Sequence, residues 1–354
     1  MHLNVDGDPL IYRCGFAAEE HAYDVTVEDA EGVMHQRLFR PQPSPDGKSK
    51  GKSAGDQMKV YLAGLPVGST LVSKEKIVTA EPLDHACQIL GQTMRKLIEE
   101  IREHAKKLGT KEELDVSVFL SGENNYRKEV ATIKPYKGNR DADTRPVHYA
   151  ALRQYLVNQW GAILVHDREA DDELSIRGWA GLEEVRAGLR KELPIISTID
   201  KDLDQVPGLH YDYVKKVFYE IWEHDAQDAF WRQCLSGDAT DNIGGCFRIG
   251  NVAAEKAVAS YHEAGLDDAG IWKAIVDTYQ HSIDVHGDKT GYAALGAEAA
   301  ALEVARLVYM QRVPDELWTP PGADSLTVSA WRKAKAKPKK GRKPRGNKQT
   351  AKDQ

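Results

Sequence analysis

The chain has 354 residues, 41% of them hydrophobic, and a formal net charge of −6. That is length enough for one large α/β domain plus a smaller second one, and apolar content enough to exclude wholesale disorder. No apolar run approaches the roughly 18 residues of a membrane span, and the N-terminus has no apolar signal region, so a cytoplasmic protein without membrane contact is expected.

Cys14, Cys87, Cys234 and Cys246 are scattered with no C-x-x-C pair, which reads as reduced thiols. The charge is uneven. From Arg332 onward there are 11 Lys and Arg against one acid, Asp353, which leaves 37 basic and 53 acidic residues elsewhere. A basic tail bearing Pro and Gly is expected to be disordered, as a solubilising extension or a non-specific phosphate-binding arm. The acidic remainder cannot hold DNA by overall charge and would need local basic patches and metal ions.

In chain order, Leu3-Asn4-Val5 leads into Asp6-Gly7-Asp8-Pro9, a first strand ending on an aspartate with Gly and Pro forcing the turn. Such acids also serve simply to cap the next helix. Residues 36–76 carry RPQPSPDGKSKGKSAGD and read as a flexible loop or long hairpin. Residues 83–108 place Ile89, Leu90, Met94, Leu97, Ile98 and Ile101 at helical spacing, predicting an amphipathic helix packed on a sheet. A second strand follows at 115–120.

Between 123 and 145, Arg127, Lys128, Lys134, Lys137, Arg140 and Arg145 are interleaved with Tyr126 and Tyr136. The mix suits a surface that tracks a nucleic-acid backbone and stacks bases, and also suits an ordinary solvated loop. Residues 162–166 form another strand, with a helix expected to start near Ala170. Glu169, Asp171 and Asp172 crowd its first turn. The helix dipole favours one or two acids there, but three at a strand mouth repel unless a hard divalent cation neutralises them.

Ile195 to Ile199, behind Pro194, read as a buried strand, and Asp200, Asp202 and Asp204 come directly after it. Carboxylates past the carboxyl end of a buried strand stand where open α/β sheets bind ligands. Farther on, the glycine-rich turn at 237–250 can bring backbone N–H groups to a phosphate, and Asp238 and Asp241 lie one turn apart. Helical periodicity from Ile271 to about Val313 closes a helical second domain before the exit at Pro314, Pro320 and Pro321.

Five blocks now stand in order: DGD at 6–8, YKGNR at 136–140, EADD at 169–172, STIDKD at 197–202 and GDATDNIGG at 237–245. Together, from about residue 3 to 260, they resemble the flap-endonuclease and 5′→3′ exonuclease superfamily, and within it the exonucleases of tailed bacteriophages. The resemblance implies a PIN-like α/β nuclease core, Rossmann-like with a mostly parallel sheet flanked by helices, and a C-terminal helical region with a helix–three-turn–helix element. It implies a core at 1–222 with an arch at about 123–150, a DNA-binding domain at 223–313 with that element at about 235–260, and an exit and tail at 314–354.

By the same resemblance, Asp6, Glu169, Asp171, Asp172, Asp200 and Asp202 hold metal, and Asp238 and Asp241 complete a second site. Lys137 and Arg140 contact the scissile phosphate, and Tyr136 stacks on a base. Arg127 and Lys134 belong to the basic surface, while Gly244, Gly245, Gly250 and Lys256 bind duplex phosphates. The implied cofactor is two Mg²⁺ ions, with Mn²⁺ substituting. The implied substrate is DNA with a 5′ end, whether duplex, nicked or flapped, or RNA in an RNA–DNA hybrid. The implied setting is a monomer, with a replication polymerase as partner, in the bacterial host cytoplasm. One departure stands out. Where many relatives carry an aspartate after the second strand, this chain reads Phe119-Leu120-Ser121-Gly122-Glu123, so Glu123 replaces that ligand or it is absent.

The residues support the chemistry on their own. Two cations about 4 Å apart stabilise both oxygens of an in-line phosphoryl displacement, and no histidine base is needed. Three rivals remain: a haloacid-dehalogenase-type phosphatase using Asp6-Gly7-Asp8, a non-catalytic DNA-binding protein, and a PIN-class RNase.

Overall fold

The computed structural model describes residues 1–43, 51–107, 109, 113–140 and 145–336. The chain runs β1 (His2–Asp6), α1 (Asp8–Ala17), β2 (Glu19–Glu28), β3 (Met34–Phe39), α2 (Ala54–Ala63), β4 (Thr70–Ala80), α3 (Leu83–Lys107), β5 (Asp115–Ser121), α4 (Arg127–Val130), α5 (Tyr149–Trp160), β6 (Ile163–Val165), α6 (Ala170–Arg186), β7 (Ile195–Ser197), β8 (Gly208–Asp212) and β9 (Val217–Ile221). It continues through α7 (Glu223–Ser236), β10 (Gly237–Asp238), β11 (Ile243–Gly244), α8 (Asn251–Glu263), α9 (Asp268–His286), α10 (Ala297–Val308), β12 (Glu316–Leu317), β13 (Leu326–Thr327) and α11 (Val328–Ala336).

Among the described residues, six strands form the main sheet in the order β6-β5-β1-β7-β8-β9. Every neighbouring pair is parallel except β8 with β9. The fold is therefore α/β, with a mostly parallel sheet flanked by helices. Strand alternation sends Leu3, Val5, Val118 and Leu120 into one apolar cluster with α1, α3 and α5. Phe119 and Ile196 point the other way, onto Ala170 and Leu174 of α6. Burial on both faces explains why these strands read as short continuous apolar runs.

The amphipathic helix expected at 83–108 is α3, with Leu90, Met94, Leu97, Ile98 and Ile101 buried. Each such side chain contributes roughly 1.5–3 kcal/mol on burial. On the opposite face α6 lies very close to the sheet and to the chain leading into β8: a Cβ at Gly178 would stand 2.3 Å from Val206 Cγ1 and 3.3 Å from Ile196 Cδ1 of β7. Any larger residue there would push the helix, and the acids at its start, away from the strand ends.

The register matters most for the site. Val5 pairs with both Val118 and Ser197, and Asp6 with Phe119. β1 and β7 thus end within one residue of each other and β5 two residues farther on, so the residues past their carboxyl ends share one edge of the sheet.

Two expectations need correcting. The segment at 36–76 is not simply a loop or hairpin. β2, β3 and β4 form a second, antiparallel sheet in the order β3-β2-β4, with α2 over a small core of Val25, Val27, Phe39, Ala54 and Met58. The polar, exposed β4 gave no alternation to reveal it; residues 44–50 lie outside the described residues. The basic tail also begins with structure, because Arg332, Lys333 and Lys335 belong to α11. The remainder of the tail, from 337, lies outside the described residues.

α7 to α10 pack around Phe230, Trp231, Ile275, Tyr279 and Val304. Tyr126, Val130 and Tyr136 are buried in that same cluster, so the basic and aromatic segment is anchored at its start; 141–144 lie outside the described residues. No helix among the described residues is long and apolar enough to cross a membrane.

Candidate active site

Asp6 ends β1 and is buried. Its Oδ2 accepts a 2.9 Å hydrogen bond from Thr198 Oγ1, just past β7, while its Oδ1 has no partner. Burial pushes this carboxyl well above its usual range, and the neighbouring charges of Asp8 and Asp200 push it further. Asp171, in the first turn of α6, is raised by burial and then by Asp6, Asp200 and Glu169, against Lys137. Asp200 is raised mainly by burial, with Asp241 and Asp238 adding repulsion. Asp202 is pushed up to about 8 by burial, Asp200 and Asp238. These acids come from three separate stretches of chain, and the strand ends on one edge of the sheet bring them together.

Asp171, Asp200 and Asp202 line a cavity of about 70 Å³, while Asp6 stands outside its lining but close enough to raise Asp171. Glu169, Asp238 and Asp241 line it as well, and the acids face Lys137 and Arg140. Asp238 and Asp241 arrive on the tight β10–β11 hairpin, where Gly237 adopts φ +66° and its α-hydrogen side faces Gly245 N at a distance no Cβ could occupy. Asp238 Oδ1 accepts from Thr240 N at 2.6 Å, which orients it.

The side of the cavity near α4 is neutralised. Lys137, in a left-handed backbone (φ +54°) uncommon for its residue type, reaches Glu169 at 2.5 Å and Asp241 at 3.5 Å. Arg140 meets Asp241 at 2.5 Å, and Tyr136 donates to Glu169 at 2.5 Å and Asp241 at 2.8 Å. Burial alone would raise Glu169, but Lys137 and Arg127 outweigh it and hold this carboxyl below the usual range. Burial works to lower Lys137, yet Glu169 and Asp241 hold the ammonium above its usual value.

Among the described residues, no three His, Cys, Asp or Glu side chains close around a single point as a metal site. The acids instead stand around a space that holds several water-sized volumes. With an all-oxygen donor set and an unpartnered buried oxygen on Asp6, the residues fit a hard divalent cation that keeps part of its water shell. Zinc prefers imidazole nitrogen and thiolate sulfur, and no histidine or cysteine lines the cavity.

Several expected roles change. Asp172 is buried and spent on Arg127, whose Nη1 and Nη2 donate to it at 2.6 and 2.8 Å. It also accepts from Glu169 N and Gln311 N, so it positions Glu169 instead of facing a metal. Arg127, 1% exposed, further donates to the carbonyls of Leu307 and Tyr309, so it cannot lie on a DNA-binding surface. Tyr136 is buried with its hydroxyl engaged, so its ring is not open for stacking. Glu123 is exposed and does not line the cavity. The oxygens of Asp8 accept from Ser121 N and Arg153, which removes the free second acid that a dehalogenase-type phosphatase would need.

Away from the cavity, Gly244 and Gly245 belong to the hairpin region and Gly250 caps α8 without a side-chain hydrogen bond. Lys256 and Lys134 are exposed, Lys134 Nζ lying 3.6 Å from where a Cβ of Gly244 would stand. The sequence reading missed Thr198, Lys201 and Gln233. The STIDKD block did carry a signal for Thr198, a turn-forming hydroxyl two residues before Asp200, since it accepts from Asp200 N. Gln233, which donates to Asp202 at 2.5 Å from within α7, leaves no local signal.

No protein-family model matches the sequence, and neither does any curated protein. Among solved structures, the chain is similar to a bacteriophage T5 protein co-crystallised with metal ions, with 16% identity, 87% of this chain and 88% of the other covered, and a TM-score of 0.45. It is also similar to the T5 5′-exonuclease with zinc bound, at 18% identity over 60% of this chain and 90% of the other, with a TM-score of 0.36. A T5 flap endonuclease pseudo-enzyme–product complex with DNA and metal ions matches at 16% identity, over 60% and 84%, with a TM-score of 0.39. At these scores the likeness decides nothing about individual residues, and the site stands on its own geometry.

Proposed function

We propose that the chain is a divalent-metal-dependent 5′ nuclease of the flap-endonuclease and phage 5′→3′ exonuclease superfamily, acting on DNA with a 5′ end. The observation that carries this reading is the ring of carboxylates from distant stretches that lines one small cavity opposite Lys137 and Arg140, with Asp6, one oxygen unpartnered, buried close to Asp171. Such a ring is too negative to stay ionised alone, and the opposing cations are placed to receive a phosphate.

In this reading Asp6, Asp171, Asp200, Asp202 and Asp238 hold two divalent cations, with Mg²⁺ the natural choice and Mn²⁺ substituting, and Glu169 and Asp241 join them. Bound there, the ions supply charge stabilisation for an in-line phosphoryl displacement and ease deprotonation of the attacking water. Water adds to phosphorus, the bond to the 3′ oxygen breaks, and a 5′-phosphate and a 3′-hydroxyl result. Lys137 and Arg140 offset the charge that builds on the phosphate oxygens. Thr198 keeps Asp6 aimed, and the Arg127–Asp172 pair fixes the start of α6.

The same reading treats residues 1–222 as the nuclease core and α7–hairpin–α8 as a helix–three-turn–helix element for duplex phosphates. The start of α8 supports it: nothing stands within 4 Å of where a Cβ of Gly250 would be, so a phosphate can approach the helix amides. Work at 5′ ends suits phage DNA replication, primer removal or DNA degradation. The test is digestion of 5′-labelled blunt and flapped duplexes with Mg²⁺ and with EDTA, resolving product lengths. Metal-dependent release of short 5′ products is expected; intact substrate at every Mg²⁺ and Mn²⁺ concentration would overturn the proposal.

A further inference from the structure

The small sheet of β2, β3 and β4 takes no part in the cavity, yet its register sorts charge onto one face. Tyr23 pairs with Phe39 and Lys76, and Val25 pairs with Arg37 and Lys74. Directly paired residues share a face. Tyr23 and Val25 pack with Ala54 and Met58 of α2, so Arg37, Lys74 and Lys76 lie on the α2 side. On the other side Asp24 pairs with Leu38 and Glu75, and Glu20 and Glu28 follow the same alternation. None of the lysines and arginines of these three strands lies on that acidic side.

α2 packs mainly on β2 and β3. β4 is left exposed along nearly its whole length, Lys74 and Lys76 included. Toward the other edge of the sheet, along β3 and α2, a groove of about 540 Å³ is lined by Arg37, Phe39, Gln42, Lys52, Gln57 and Tyr61, together with Val60 and Asp56. The Arg37 guanidinium lies 5.1 Å from the centres of both the Phe39 and Tyr61 rings. Asp56, the acid in this wall, is held by Ser53 at the start of α2. Cations, rings and side-chain amides interleaved along an open groove match the needs of an unpaired nucleic-acid strand, which offers phosphates and base faces at once.

The root of the sheet also meets the chain that leads away from the cavity wall. Glu19 accepts from Val147 N, and His148 hydrogen-bonds the Glu81 carbonyl at 2.7 Å, both a few residues beyond Arg140. We propose that the α2 face of this sheet, with Arg37, Lys74 and Lys76, binds the single-stranded 5′ segment of the DNA substrate outside the cavity. This rests on the nuclease reading above and adds where the unpaired strand is held.

The full chain is titrated with a fluorescein-labelled oligothymidine and with a blunt duplex of equal length, and cleavage of the blunt duplex is followed in parallel. The variants are Lys74→Glu/Lys76→Glu, the milder Lys74→Gln/Lys76→Gln, and Lys106→Glu/Lys191→Glu, which makes the same charge change elsewhere; thermal melts confirm folding. The sheet variants are expected to weaken oligothymidine binding about ten-fold at low salt and to flatten its logarithmic salt dependence by about 0.7 per lysine. Blunt-duplex cleavage stays within about two-fold of wild type, as does oligothymidine binding by the control pair. Equal binding by sheet and control variants, with Mg²⁺-dependent cleavage intact, overturns this inference and leaves the nuclease reading standing, including the case where the face serves a protein partner. Absence of Mg²⁺-dependent cleavage by the wild-type chain, on this duplex and on a 5′-flapped one alike, overturns the nuclease reading and, with it, the substrate named here.

Discussion

Around one cavity, two groups of carboxylates live under different conditions. Asp6, Asp171, Asp200 and Asp202 are crowded by burial and by one another, with pKa values driven upward and no ion pair among the described residues. Glu169, Asp172 and Asp241, on the α4 side, are held by Lys137, Arg127 and Arg140. The paired acids are part of the scaffold: Arg127 and Asp172 join α4, α6 and the carbonyls at the end of α10 into one unit. The crowded acids oppose the fold unless a cation relieves them, and that is the physical signature of a binding site built at some cost in stability.

The contrast can be broken most decisively at the crowded group. Asp171→Ala or Asp200→Ala should lower Mg²⁺-dependent cleavage by at least roughly a thousand-fold while the protein still folds; cleavage retained in either would count heavily against the metal assignment. The stability effect should have the unusual sign as well. Asp171→Asn removes a repelling charge, so its metal-free melting temperature should rise, and a fall would show that the acids are not in conflict.

The paired group should answer in the opposite direction. Arg127→Met strands Asp172 as a buried charge and should cost about 3–5 kcal/mol in urea unfolding, with a loss below about 1 kcal/mol refuting the buried pair. Lys137→Ala sits between the two groups. A roughly hundred-fold drop in kcat with little change in KM is expected if its ammonium acts on the developing charge.

A smaller, continuous effect is the pH dependence of the metal-free protein. Asp202 titrates near 8 when folded, and Asp6, Asp171 and Asp200 are also raised. The folded chain thus keeps protons that the unfolded chain gives up near pH 4, so stability should fall as pH rises from about 4 toward 8. Glu169, being lowered, contributes the opposite way: its share is present above its unfolded value and lost as pH falls through the folded one. Denaturant unfolding at pH 5 and 8 with EDTA, then with saturating Mg²⁺, checks both signs, since bound cation should abolish the decline. The mildest test is Thr198→Val, which removes the donor to Asp6 Oδ2 and should cost about 1 kcal/mol.

Local pattern was enough to read much of this molecule. Apolar runs bounded by Pro or by acids marked β1, β5 and β7, the 3.6-residue period marked α3, and carboxylates at strand ends marked the edge where ligands bind. Those signals lie within a few neighbouring residues, because strand burial and helix amphipathicity are properties of short segments. Which oxygen meets which cation was not legible. Arg127 looked like a surface arginine and Asp172 like a metal ligand, yet they close on each other across 45 positions of chain and leave solvent entirely. The charged faces of the small sheet were equally hidden, since a cross-strand register assigns each lysine its side. Desolvation and pairing depend on how separate elements approach, and only the packed chain decides that.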